Sequence, residues 1–153
     1  MSPRTLFRTV AFAEAVTWTL LLLALLLRAL VPEARLAVSI AGGLHGFVFL
    51  CYVVSTCFTW VNQRWSAGRG ILAVVSAAIP YATIPVEKSM DRHGLLGDVW
   101  RLGAGGDAPH GFLEKLQAAV LARPLAALAV VIAAVAAVFC LLLYMGPPDT
   151  WFA

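Results

Sequence analysis

Four long apolar runs, at residues 6–30, 36–61, 70–86 and 124–145, dominate the chain, and its polar residues gather at their ends. Each run holds between 17 and 26 residues, and about 20 apolar residues suffice to cross the hydrocarbon core of a bilayer. A segment in hydrocarbon must satisfy its own backbone hydrogen bonds, and runs of this length are too long for barrel strands, so each is expected to be helical. The pattern therefore predicts an all-α fold, a four-transmembrane-helix bundle. Breaks fall at Pro32 and Glu33, at Asn62 to Trp65, and at Pro147, Pro148 and Asp149. The first two connections must be tight hairpins, whereas the third, residues 88–123, is long. Its Gly- and Pro-rich stretch 103–109 predicts a flexible hinge. Ahead of the hinge, Leu95, Leu96, Val99, Trp100 and Leu102 mix with Asp98 and Arg101. Beyond it, Phe112, Leu113, Leu116, Val120 and Leu121 recur at helical spacing beside Glu114, Lys115 and Gln117. Both pieces are expected at the membrane surface, either facing a partner or packed on the bundle's own end.

Composition sharpens this picture. The chain is 61% hydrophobic and 12% charged, whereas ordinary soluble domains are nearer half apolar and about a quarter charged. That balance excludes a soluble enzyme, a secreted disulfide scaffold, a disordered chain and a nucleic-acid-binding domain. Cys51, Cys57 and Cys140 fall inside the apolar runs with neither a CxxC pair nor a His at ligand spacing, so they read as small core side chains and no metal site is expected. Arg4 and Arg8 precede the first run as they would in a signal peptide. That run is much longer than a ~7–15-residue signal core and contains Glu14, so a retained helix is expected. With four crossings, Arg4, Arg8, Arg64 and Arg69 would face one side, and Arg28, Arg35, Lys88, Arg92, Arg101, Lys115 and Arg123 the other. The first group lacks acidic neighbours and includes the first helix, so the reading leans to both termini inside.

The sharpest chemical pattern is one polar layer. Glu14 lies eight residues into the first run, about 12 Å deep, and His45 nine residues into the antiparallel second run, about 13–14 Å from the opposite face. In a core ~30 Å thick the two fall at nearly the same depth. Tyr81 of the third run, roughly 16 Å from Glu14's face, joins that layer. An ionisable group near the bilayer centre costs about 2.5–3.5 kcal/mol on insertion scales, so Glu14 and His45 are expected to face the interior and each other. Gly42 and Gly46 make a GxxxG step that permits close helix approach where His45 projects. Pro80 and Pro85 each remove a helical hydrogen bond, so the third span should bend or unwind near its end. Glu87 is expected near the far interface, paired with Lys88 or Arg92. The alanine-rich fourth run reads as a packing helix. A six-coordinate bis-His haem would require a second intramembrane His, and no cofactor is expected.

The set Phe7-Arg8 with Glu14, Gly42-x-x-His45-Gly46, and Pro80-Tyr81-x-Thr83-x-x-x-Glu87, with Trp65-Ser66 ahead of the third run, resembles the YdzA-like bacterial membrane domain, a family of unknown function. The resemblance covers roughly residues 5–92. Ala82 stands where the family often has Gly, and Pro85 adds a second break. The resemblance implies a membrane unit at residues 1–92 and supports Glu14, His45 and Glu87 as its notable polar residues, without assigning them a task. Residues 93–123 then form an interfacial loop, and residues 124–153 a fourth transmembrane helix with a short tail.

With no nucleophile–base pair or phosphate loop, the chain reads as non-enzymatic. The first expectation is a structural or accessory protein of the bacterial inner membrane, in contact with lipids and with a homo-oligomeric or other membrane partner, in which the Glu14–His45 contact sets helix register. The alternative is a small proton-coupled carrier that uses the same pair.

Overall fold

The computed structural model describes residues 1–145, so the expected break at Pro147, Pro148 and Asp149 lies outside the described residues. Among these residues there are six helices and no strand: α1 (Pro3–Leu30), α2 (Arg35–Gln63), α3 (Ala67–Ser76), α4 (Thr83–Arg92), α5 (Gly111–Ala122) and α6 (Pro124–Met145). Three of them, α1, α2 and α6, are long and apolar enough to cross a membrane. Helix α1 starts where its sequence dictates, with the Ser2 hydroxyl accepting from the Thr5 amide at 3.1 Å and Pro3 occupying the first turn. It stops at Val31, which is held extended ahead of Pro32. Helix α2 ends through left-handed Arg64 (φ 50°), after which the Trp65 amide donates to the Trp60 carbonyl at 3.2 Å. That closure turns Trp65 into the core, edge-on to Phe7 with ring centroids 5.5 Å apart.

Helices α1 and α2 run antiparallel, with Phe7 against Tyr52 near one end and Thr17 against His45 further along. The third apolar run departs from the expected single crossing. Helix α3 packs antiparallel to α2, with Gly70 against the Trp60 indole and the Tyr52 hydroxyl donating to the Ala73 carbonyl at 2.9 Å. Helix α4 then packs antiparallel to α1. The Thr83 hydroxyl donates to the Ala11 carbonyl at 3.1 Å, and Glu87 meets Arg8 a turn closer to the start of α1. The two short helices are thus a hairpin that rises and returns to the end of the bundle where α1 begins. Its tip lies beside Trp18, whose indole N–H donates to the Ala77 carbonyl at 3.2 Å, roughly 23 Å along α1.

Pro80 and Tyr81 explain the reversal. Pro80 has no amide to continue a helix, and Tyr81 adopts φ 64°, the left-handed conformation that turns the chain back. Pro85 breaks nothing, because it falls in the first turn of α4, where amides have no intrahelical acceptor.

The connection after α4 caps this same end. The Arg4 amide donates to the Gly97 carbonyl at 3.1 Å, the Trp100 indole to the Met1 carbonyl at 2.7 Å, and Leu96 and Leu102 are buried. Where a flexible hinge was expected, the chain makes a tight turn, with the Asp107 amide on the Arg101 carbonyl at 2.7 Å. Helix α5 lies across the end of α2, and α6 runs back along α2, with Phe139 against Gly43, Gly46 and Phe47. Met1 and Met145, the last described residue of α6, consequently lie at opposite ends of the bundle, whereas four crossings would have brought the end of α6 back to the side of Met1; the expected placement of the C-terminus itself lies outside the described residues. The basic residues follow suit: Arg4, Arg8, Arg64, Arg69, Lys88, Arg92, Arg101, Lys115 and Arg123 belong to the α1-start end, and Arg28 and Arg35 to the other. Cys57 and Cys140, expected in the core, are exposed, and Cys51 is half-buried in the seam between α2 and α6.

Candidate functional site: a buried carboxyl between α1 and α2

The apolar middle stretches of α1 and α2 leave Glu14 and His45 nowhere to go but inward. Glu14 is completely buried, and the His45 side chain is 12% exposed. Their nearest approach, Nδ1 to Oε1, is 3.9 Å, longer than a hydrogen bond. The direct partner of His45 is Thr17, one turn beyond Glu14, with Nδ1 and Oγ1 3.1 Å apart. The Thr17 hydroxyl donates to the Glu14 carbonyl at 2.9 Å, so the contact with His45 is completed by a proton on Nδ1 donating to Oγ1. The Trp18 ring covers the imidazole at a centroid separation of 4.4 Å, with Phe49 at 6.5 Å on another side. Both carboxyl oxygens of Glu14 are buried without a hydrogen-bond partner. Nine in ten or more buried polar groups are satisfied in native proteins, so this carboxyl stands out.

Tyr81, the third expected member of the layer, and Glu87, expected outside it, touch neither Glu14 nor His45. Tyr81 sits in the hairpin tip, 44% exposed, with its hydroxyl 3.3 Å from that of Thr19. Glu87, expected to be solvated near the far interface beside Lys88 or Arg92, is buried at the α1-start end, where it accepts from Arg8 Nε at 2.7 Å. The cause is the hairpin: once α4 returns along α1, its inward face meets the first turns of α1. Arg4 and Arg8, four residues apart, meet Asp91 and Glu87, also four apart, with Arg8 Nη2 to Asp91 at 2.7 Å and Arg4 Nε to Asp91 at 2.9 Å. That matched spacing is the signal in the sequence that would have found the contact. Gly42 and Gly46 do not share one interface, since a side chain at Gly42 would face Leu21 of α1 and one at Gly46 would face Phe139 of α6.

A second network escaped sequence reasoning. Arg101 Nε donates to the Asn62 carbonyl at 2.7 Å and Arg101 Nη2 to Glu114 at 2.7 Å, while the His110 amide donates to the other Glu114 oxygen at 2.7 Å. The His110 amide and the Arg101 guanidinium hold the Glu114 carboxyl well below the usual range, at about 2. These bonds tie α5 to the end of α2.

The burial pattern defines the class. Thr17, Thr56, Thr59, Asn62, Thr83, Glu87 and Gln117 are inside, while Leu23, Leu26, Leu36, Ile40, Phe112 and Val130 are outside. A water-soluble domain places these residue types the other way round, whereas helices in lipid bury polar groups against one another. The chain is a helical membrane protein. It belongs to the family described as Domain of unknown function (DUF3817), whose model matches residues 4–92, that is, α1 through α4. It is also 36% identical over 91 residues to the Streptomyces coelicolor protein named "Putative membrane protein SCO5905", an alignment that covers 59% of this chain and 11% of the relative. The chain thus spans about a tenth of the length of that curated relative. No solved structure matches it.

Proposed function

We propose that this chain is a non-enzymatic, multi-pass protein of the bacterial inner membrane, a structural or accessory component whose Glu14–His45 contact sets the register of α1 on α2. In this reading the matched domain is the YdzA-like unit, with α1 and α2 crossing the membrane and the α3–α4 hairpin entering and leaving from one side. Helix α6 adds a third crossing, and α5 lies at the interface. The observation that carries the reading is the complete burial of Glu14 with His45 at 3.9 Å, the imidazole itself hydrogen-bonded to Thr17 and covered by Trp18; polar groups enclosed across a helix seam act as glue between helices. Nine basic residues at the α1-start end against two at the other support placing that end in the cytoplasm. The expected partner is a second membrane protein or another copy of the chain, against the largely exposed α6. The test is Glu14→Gln combined with His45→Asn. Lowered thermal stability of the detergent-solubilised protein, with assembly disturbed in proportion, supports the reading, and an unchanged melting temperature overturns it. Purification at native expression as a lone monomer would remove the accessory role.

A second reading, a small proton-coupled carrier, is favoured by two observations: the unpartnered Glu14 carboxyl, and a hairpin tip whose Ala77 carbonyl bonds to the Trp18 that covers His45. Re-entrant breaks at membrane depth often line transport paths. Reconstitution into proteoliposomes separates the readings: proton-linked flux abolished by Glu14→Gln supports the carrier, and its absence supports the structural role.

A further inference from the structure

The hairpin sorts the charges of α4 onto two faces. Glu87 and Asp91 turn toward α1 and are neutralised by Arg8 and Arg4. Lys88, Ser89, Arg92 and His93 are exposed, and neither Lys88 nor Arg92 takes part in an ion pair among the described residues. Exposed Arg69, at the start of α3, is likewise unpaired among the described residues. Between α3 and α4, at this end of the bundle, lies a cavity of about 340 Å³. Arg69, Ser89 and His93 line it together with Leu72, Val86 and Met90. His93 Nδ1 donates to the Ser89 carbonyl at 2.7 Å, so Nε2 of the neutral ring is an acceptor, and the donors facing the cavity are the Arg69 guanidinium and the Ser89 hydroxyl. Deeper along α3, Ile71, Leu72 and Val75 present an exposed apolar wall.

We propose that this cavity binds the phosphate of an anionic phospholipid headgroup, with the Arg69 guanidinium and the Ser89 hydroxyl donating to the phosphate and the acyl chains along the outer wall of α3. The chemistry matches: a guanidinium pairs with phosphate oxygens in a fork, basic pockets between helices on the cytoplasmic side take anionic headgroups, and the volume falls within the range of small-ligand sites. Acidic residues do not compete, because those of α4 are consumed by α1. The inference rests on the membrane reading but not on any role for Glu14 and His45.

The experiment uses the full chain, purified in a neutral detergent, with retained lipid read by native mass spectrometry and melting temperature read in parallel. Phosphatidylglycerol, phosphatidylcholine and inorganic phosphate are added separately. Phosphatidylglycerol is expected to be retained and to raise the melting temperature, while phosphatidylcholine and inorganic phosphate do neither. Arg69→Gln should lower phosphatidylglycerol retention about fivefold, with the lipid-free melting temperature unchanged because that side chain is exposed. Ser89→Ala, on the opposite wall of the cavity, serves as a second variant should Arg69→Gln fail to fold. Equal retention of phosphatidylcholine, equal protection by inorganic phosphate, or undiminished phosphatidylglycerol retention in the folded variants would overturn the proposal. Failure of the membrane reading itself would appear separately, as a chain that stays soluble without detergent.

Discussion

At the residue scale, the strongest constraints come from side chains that the fold leaves no room to change. A side chain at Gly70 would fall inside the Trp60 indole, and that ring is itself held by donation to the Trp65 carbonyl at 2.9 Å. Gly70→Ala is therefore expected to destabilise by about 1–3 kcal/mol, the usual cost of overpacking, as a lowered detergent-phase melting temperature. Gly68→Ala, in the same helix with nothing nearby, should instead hold that temperature or raise it slightly. For Glu14 and His45 a double-mutant cycle is the appropriate measurement. Polar pairs within membranes average about 0.6 kcal/mol and reach about 1.7, and the 3.9 Å separation places this pair in the lower half of that range. A coupling energy of zero would mean that the two side chains share a layer without sharing an interaction. Both residues were legible in the sequence, because an acid and an imidazole deep in apolar runs have few places to go. Thr17, the residue that touches His45, was not, because a threonine in such a run has no distinguishing pattern.

At the scale of elements, two local devices shape the molecule. The first is the turn at Pro80 and Tyr81, where a bulky residue holds φ 64°, an unfavourable conformation for any residue but Gly. Tyr81→Gly should thus stabilise by up to about 1 kcal/mol. Tyr81→Phe, which removes only the contact with Thr19, isolates the loss of that hydroxyl; a Gly variant less stable than the Phe variant would mean the backbone is not strained. The second device is the tie between α5 and α2 through Glu114. Its folded pKa of about 2 lies below the ordinary carboxylate value, so the tie is fully present above the unfolded value and is lost as pH falls through the folded one. Hydrogen exchange in α5 should accordingly be insensitive to pH between neutrality and about 5 once corrected for intrinsic rates, and should rise as the medium approaches pH 2. Helix existence was readable for all these elements. The hairpin was not, since periodicity shows that the third run is interrupted but not whether the chain continues across or turns back.

For the whole molecule, the direction of that one turn decides the placement of everything after it. With a crossing, Lys88 to Arg123 would share a side with Arg28 and Arg35. With a hairpin, they share a side with Arg4, Arg8, Arg64 and Arg69, and an ambiguous charge balance becomes a one-sided one. In a background without Cys51, Cys57 and Cys140, single cysteines at Ser2, Arg69 and Arg92 should all react with a membrane-impermeant thiol reagent from one side of the membrane, and a cysteine at Glu33 from the other. Labelling of position 92 from the same side as position 33 would restore the four-crossing arrangement.

What the sequence determined by itself was the class: long apolar runs cannot be hidden in water, and backbone hydrogen bonding in hydrocarbon permits little but helix, so all-α membrane architecture and an inward-facing Glu14 and His45 follow from local chemistry. What only the tertiary structure decided was which helix faces which. The pairing of Arg4 and Arg8 with Asp91 and Glu87, the clasp of Arg101 on Asn62 and Glu114, and the return of α4 along α1 all join residues far apart in the chain. Such contacts are set by the competition among whole faces for burial, and no window of sequence contains that competition.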